Sequence, residues 1–144
     1  MTYCAHEHPR IVLNEAGVMH TNTLHGVTVR KRGLARRLAA GFYNSLTMLS
    51  AELLARSYGG GVLKLEPTEA EALLIPPLSG WDARRLLARV DRCVRKGDLE
   101  GALSIVDPLV LEEGLGFSPT EVDALRRGAG RLRRRRHARA RDPR

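Results

Sequence analysis

A chain of 144 residues with 43% hydrophobic content suits one modest domain with appendages and excludes a large enzyme core beside a separate binding domain. Aromatics are only 4%, so the core has to be built from Leu, Val and Ala. The formal charge of +8 points to an anionic partner, but 14 Lys and Arg meet 15 acids before residue 126, while 10 meet a single acid from Arg126 onward, so the basic excess is C-terminal.

Residues 1–32 read as turn-rich, with short β-like pieces at residues 10–13 and 24–30. Leu34, Leu38, Phe42, Leu46, Leu49 and Leu53 then recur at helical spacing and predict a long helix over residues 33–56, with a bend or break possible at Gly41. Tyr58 and the run Gly59, Gly60, Gly61 end it, and "VLKL" at residues 62–65 alternates as a short half-buried strand. "TEAE" at residues 68–71 has the form of a capping box and opens a short helix that ends before Pro76.

Asp82 is placed to cap a helix through Lys96 with Leu86, Leu87, Val90 and Val94 inward, and Gly97 to stop it. Leu99, Ala102, Val106, Leu109 and Val110 carry a further helical period, interrupted by Asp107 and Pro108, which have the form of an N-cap and a first-turn proline. "SPTE" at residues 118–121 is a second capping box, opening a helix with Val122, Leu125, Ala129 and Leu132 inward. It runs into "RLRRRRHARARDPR", expected to end as a solvated, frayed tail. The expected class is α+β and predominantly helical: a small irregular β portion (residues 10–32 and 62–65) on a long helix (33–56), then a helical extension.

The signatures of autonomous catalysis are missing. The glycine run lacks the Lys-Ser/Thr of a phosphate-cradling loop and no strand precedes it in dinucleotide-fold order. Cys4, His6 and His8 alternate and on a strand would share a metal-binding face, but no matching second half exists, and a disordered terminus is the expectation. "IPPL" at residues 75–78 differs from the Asn/Asp-Pro-Pro-aromatic loop of amino-methyltransferases, because Ile75 cannot accept a hydrogen bond and Leu78 cannot stack on a base; it reads as a helix stop. Cys4 and Cys93 lie far apart with no apolar leader, and the longest apolar run, residues 72–78, contains two prolines. A cytoplasmic protein with no membrane partner is expected.

"GFYNSLTMLSAELLARSYGGGVLKLEPTEAEALLIPPL", residues 41–78, preceded by "HTNTLHGVTVRK", residues 20–31, resembles the C-terminal target-recognition region of bacterial N6-adenine DNA methyltransferases of restriction-modification systems. A similar pattern occurs in type I specificity subunits. "VDRCVRKGDLEGALSIVD" and "GLGFSPTEVDALRRGAGRLRRRRHAR" resemble the helical tail of such methyltransferases. The family's S-adenosylmethionine-binding glycine motif and its Asn-Pro-Pro-aromatic loop are not in this sequence.

The resemblance therefore implies a DNA-recognition fragment or subunit, with no cofactor of its own and no catalytic residue. Double-stranded DNA and a methyltransferase catalytic subunit are the implied partners; either a truncated gene product or a separately encoded recognition piece fits it. Residues 1–80 would form the recognition module, 81–132 a helical extension and 133–144 an Arg-rich flexible tail.

On this reading Gly59, Gly60 and Gly61 let main chain approach a phosphate or base edge, with Arg56, Ser57, Tyr58 and Lys64 as donors on either side; the alternative is a plain helix cap and turn. Arg37, Asn44 and Thr47, with Arg36 nearby, project away from the Leu/Phe stripe and are candidate base readers, or else an ordinary solvated face. Arg30, Lys31 and Arg32 suit phosphate anchoring, and Asn22 suits either a turn or DNA. The helix bearing Arg84, Arg85, Arg89, Arg92, Arg95 and Lys96 reads as a structural neighbour, and the Arg tail fits any polyanion. The competing class is a basic module for RNA, ribosomes or protein partners.

Overall fold

Asn44 divides the region expected to be one long helix. In the computed structural model, which describes residues 1–31, 33–76 and 80–141, α1 (Leu34–Gly41) ends there and α2 (Ser45–Leu54) begins. Asn44 takes an extended backbone and its Oδ1 accepts from Thr47 N at 2.9 Å. Its Nδ2 donates to Gly41 O at 2.7 Å and to Thr47 Oγ1 at 2.8 Å, so a buried amide is fully satisfied by capping one helix and closing the other. The Leu/Phe stripe is only partly the buried face: Phe42 is buried and Leu46 and Leu49 pack against the core, but Leu53 is 65% exposed and Ala39, Ala40, Tyr43, Met48 and Ala51, off the stripe, are buried.

After α2 come β2 (Arg56–Tyr58), a tight turn at Gly59–Gly61, β3 (Val62–Lys64) and α3 (Pro67–Glu71). The expected strand at residues 62–65 is present. Strands at residues 10–13 and 24–30 are not: among the described residues of 6–33 the ladder contact is a single bridge from Leu24 to Thr2. Their place is taken by β1 (Cys4–Ala5), in the segment expected to be disordered. The sheet is antiparallel with order β1-β3-β2; Lys64 sits between Cys4 and Arg56. The capping box of α3 forms two residues before its expected position, with Glu69 Oε2 accepting from Glu66 N at 2.9 Å and Pro67 at the first helical position, where its missing N–H costs nothing.

α4 (Ala83–Arg95) is capped by Asp82, whose side chain accepts from Arg84 N and Arg85 N, and Gly97 takes a left-handed φ of 73° just past its end. α4 packs on α1 and on α5 (Leu99–Asp107). Helical backbone continues past Asp107 through a wide turn at Pro108–Glu112 into α6 (Glu113–Leu115), so no new helix starts at Asp107. The Asp107 carboxylate is used elsewhere: it accepts from Ser45 N at 2.7 Å and Ser45 Oγ at 2.6 Å, capping the start of α2 from 62 residues away.

α7 (Pro119–Arg141) opens on the expected box, with Ser118 N donating to Glu121 Oε2 at 2.8 Å and Glu121 N to Ser118 Oγ at 3.3 Å. It lies along α2 and over the glycine turn. The segment expected to fray is helix through Arg141, because Arg136 is 5% exposed and anchored. The architecture is helical α+β with a core of Leu, Val and Ala, Met48 and one Phe/Tyr pair.

Candidate nucleic-acid interface

The three glycines serve the chain's own packing at one position and solvent at two. Gly60 and Gly61 have φ of 72° and 73°, which side chains with a Cβ rarely adopt. Gly59 and Gly60 are exposed, but Gly61 is buried beneath α7: a Cβ there would lie 3.3 Å from Ala140 Cβ and 3.4 Å from His137 Cα. Gly61 O also accepts from Arg136 Nη1. The turn is thus pinned from behind, and Gly61 is not available to a ligand.

The cations flanking it are committed too. Arg56 Nε lies 2.7 Å from Glu69 Oε1 and Lys64 Nζ 2.8 Å from Glu66 Oε1. The bond to Glu66, with Tyr3 beside it, raises the Lys64 pKa above the ordinary lysine range, and Lys64 with Tyr3 holds Glu66 below the usual carboxylate range. Glu69 is lowered by the Glu66 amide and by Arg56. Lys64 also sits 4.9 Å from the Tyr58 ring centroid. Ser57 and Tyr58 are exposed on β2. A phosphate would have to compete with Glu69 for Arg56 and with Glu66 for Lys64.

Asn44 and Thr47 cannot read bases. Both are 0% exposed, spent on the cap of α2, and Thr47 Oγ1 donates to Leu74 O at 2.7 Å. Arg37, by contrast, is exposed on α1, and Arg30 and Lys31 are exposed just before it; Arg32 lies outside the described residues, as do Pro77 and Leu78 of the proline stop.

Arg37 borders a groove that hydrophobic periodicity gave no reason to expect. Its main part, about 730 Å³, runs between the segment Arg10–Leu13, the Arg36 side of α1 and the α4 face carrying Arg84 and Arg95. A second part of about 600 Å³ continues past Arg37 to Trp81. Tyr43 fixes the wall, its hydroxyl accepting from Ile11 N at 3.2 Å and donating to Ile11 O at 3.3 Å. Arg36 pairs with Glu15 at 2.5 Å and Arg95 with Asp91 at 2.6 Å, leaving Arg10, Arg37 and Arg84 exposed and without an ion pair among the described residues. Arg84 lies on the helix expected to be a structural neighbour, and the packing of α4 on α1 makes it a groove residue.

Cys4, His6 and His8 do not converge as metal ligands. Cys4 is exposed, while His8 is buried with Nδ1 donating to Pro9 O at 3.0 Å. His6 instead meets Glu7 and His137, their ligand atoms within 4.8 Å of one another, in a setting where Arg136 donates to the backbone carbonyls of His6 and Glu7. The glycine turn does not fit the phosphate-free adenosyl cofactor either: it joins two antiparallel strands and Gly61 is filled from behind by α7. No described helix is long and apolar enough to cross a membrane.

Residues 1–111 match the family described as Type II methyltransferase M.Eco57I, C-terminal domain. The chain belongs to that family. The M.Eco57I C-terminal-domain match takes in the sheet, the groove and α1 through α5, and stops before α7. A relative, the type II methyltransferase M.XamI of Xanthomonas campestris pv. amaranthicola, is 38% identical over 86 residues, covering 57% of this chain and 15% of that protein. The chain thus spans a small part of the length of the relative it matches. No solved structure matches it. The resemblance to the C-terminal region of a restriction-modification methyltransferase is therefore sound.

Proposed function

We infer that this chain is the DNA target-recognition portion of an S-adenosylmethionine-dependent N6-adenine methyltransferase of a restriction-modification system, and that it does not transfer methyl groups by itself. Cofactor and catalytic loop belong to a catalytic portion that acts with it. Membership in the M.Eco57I C-terminal-domain family supports the reading. The observation that carries it is the groove lined by Arg10, Arg37 and Arg84, none of which has an ion pair among the described residues. Guanidinium forks at a groove rim are suited to phosphate oxygens on either side of a duplex and to guanine edges between them. Arg30 and Lys31, exposed just before α1, add cations outside the groove lining.

The catalytic portion has an apolar face to meet. Leu53 and Leu54 at the end of α2 are 65% and 37% exposed, and Leu74, whose amide donates to Ser50 Oγ at 3.3 Å, is 55% exposed.

Fluorescence anisotropy with labelled duplexes at ~100 mM salt tests the reading. The combined variant R10Q/R37Q/R84Q binds duplex at least tenfold more weakly than the parent; equal affinity contradicts the assignment. A basic RNA- or ribosome-binding module, the competing reading, draws on the arginines of α7 and requires tighter binding to RNA than to duplex DNA.

A further inference from the structure

α7 sorts its arginines by face. Arg126 reaches Asp107 at 2.7 Å, and Arg136 reaches Glu52 at 2.8 Å with both side chains under a tenth exposed. These two hold the helix to the body. Arg127, Arg131, Arg134, Arg135 and Arg139 are exposed. At 3.6 residues per turn they fall within an arc of roughly 140°, and from Arg127 to Arg139 they extend along about 18 Å of helix.

Internal charge does little to neutralise that arc. Asp123 pairs with Arg127, and the described part of the helix beyond it contains no acid. The stripe is also held rigid. Gly128 lets α7 close on α2, since a Cβ there would stand 3.3 Å from Leu49 Cδ1, and Arg136 locks the far end to the carbonyls of His6, Glu7 and Gly61. A stiff row of guanidinium groups meets a polyanion without first ordering a loose tail.

We propose that the outer face of α7 is a sequence-independent clamp on the phosphates of double-stranded DNA. It rests on the reading that the chain meets duplex DNA, and adds to the groove a second contact face beyond the family-matched residues 1–111. A duplex presents about one negative charge per 1.7 Å, so about 18 Å of helix runs beside roughly ten phosphates, of which those on the near side lie within reach of five arginines. The partition of labour is physical: the groove has shape and can select, whereas the stripe offers charge alone and can only hold.

The test is the salt dependence of binding to labelled duplexes of several sequences, for the full chain and for R131Q/R134Q/R135Q/R139Q, between about 50 and 200 mM KCl. Each phosphate contact contributes about 0.9 to the slope of log affinity against log salt, so losing four flattens it by roughly 3 to 4, equally for every duplex. The variant's circular dichroism melt should match the parent, because the four side chains are exposed. An unchanged slope overturns the clamp, as does tighter parental binding to double-stranded RNA than to DNA. If sequence preference persists with an unchanged slope, the clamp fails and target recognition stands. If the slope flattens but no duplex is preferred by either protein, the clamp stands and target recognition fails.

Discussion

Arg136 Nη2 lies 2.8 Å from Glu52 Oε1, with the two side chains only 4% and 7% exposed, and joins the penultimate turn of α7 to the last turn of α2 across 84 residues. The same guanidinium donates to the carbonyls of His6, Glu7 and Gly61. One side chain thereby ties the segment just after β1, the glycine turn and two helices. Replacing either partner leaves a buried charge unpaired. Glu52→Ala and Arg136→Ala should each lower unfolding free energy by about 3–5 kcal/mol, measured by urea denaturation. A loss under 1 kcal/mol would show the pair to be solvent-accessible.

Asp107 is the second such tie. It is 1% exposed and accepts from Ser45 N, Ser45 Oγ and Arg126 Nη2. Asp107→Ala should cost about 3–5 kcal/mol, because it strands the Arg126 charge and the first amide of α2. Ser45→Ala, which removes one hydroxyl and keeps the carboxylate, should cost about 1 kcal/mol. Similar values for the two would mean that the carboxylate is dispensable.

Single alanines separate packing from ligand approach within the glycine run. Gly61→Ala forces a Cβ onto a φ of 73° and against Ala140, and should cost at least about 1–2 kcal/mol by thermal melt. At Gly59, φ is not positive and no atom lies within 4 Å of a built Cβ, so Gly59→Ala should stay within about 0.5 kcal/mol of the parent. Duplex affinity unchanged in Gly59→Ala would agree with a turn made for α7; a large loss of affinity with intact stability would restore it as a DNA contact.

Acid should weaken the fold in a window set by His8. Burial pushes its pKa below the ordinary 6.5, assisted by Arg10 and Arg133 and opposed by the bond to Pro9. The unfolded chain then binds the proton more readily, so the neutral-ring contribution is complete above about pH 6.5 and is lost as pH falls toward the depressed native value. Melting temperature should begin to drop below about pH 6.5, and His8→Gln should flatten that limb while leaving the drop below the carboxylate range, where Glu66 and Glu69 take up protons. An identical limb in parent and variant would remove His8 from the account.

What could be read from the residues follows from which forces leave periodic traces. The Asp82 cap, the inward Leu86 and Val90 of α4, the Ser118–Glu121 box and the strand at Val62–Lys64 rest on local chemistry, and the fold contains them. The break possible at Gly41 falls where α1 ends, but the restart at Asn44 was hidden because the Leu/Phe spacing runs on through it in phase, although an Asn three residues before Thr47 is itself an N-cap signal. β2 is polar and exposed throughout, so it leaves no alternation. The arginine tail misled most: a guanidinium buried by bonds to distant carbonyls looks, in sequence, like any solvated charge. Likewise the groove joins residue 10 to residue 84, and no local pattern brings those together. Of the expected DNA contacts, Arg30, Lys31 and Arg37 are exposed, before α1 and on it, whereas Asn44 and Thr47 are buried in the cap of α2.

The central claim, that this chain selects a DNA sequence, is tested most directly by selection from a pool of duplexes with a randomised core, retained on the immobilised full chain or on its assembly with the catalytic portion and then sequenced. The account predicts enrichment of one short motif that R10Q/R37Q/R84Q no longer enriches. Retention of the pool with its sequence composition unchanged, or by the catalytic portion equally well without this chain, would contradict it.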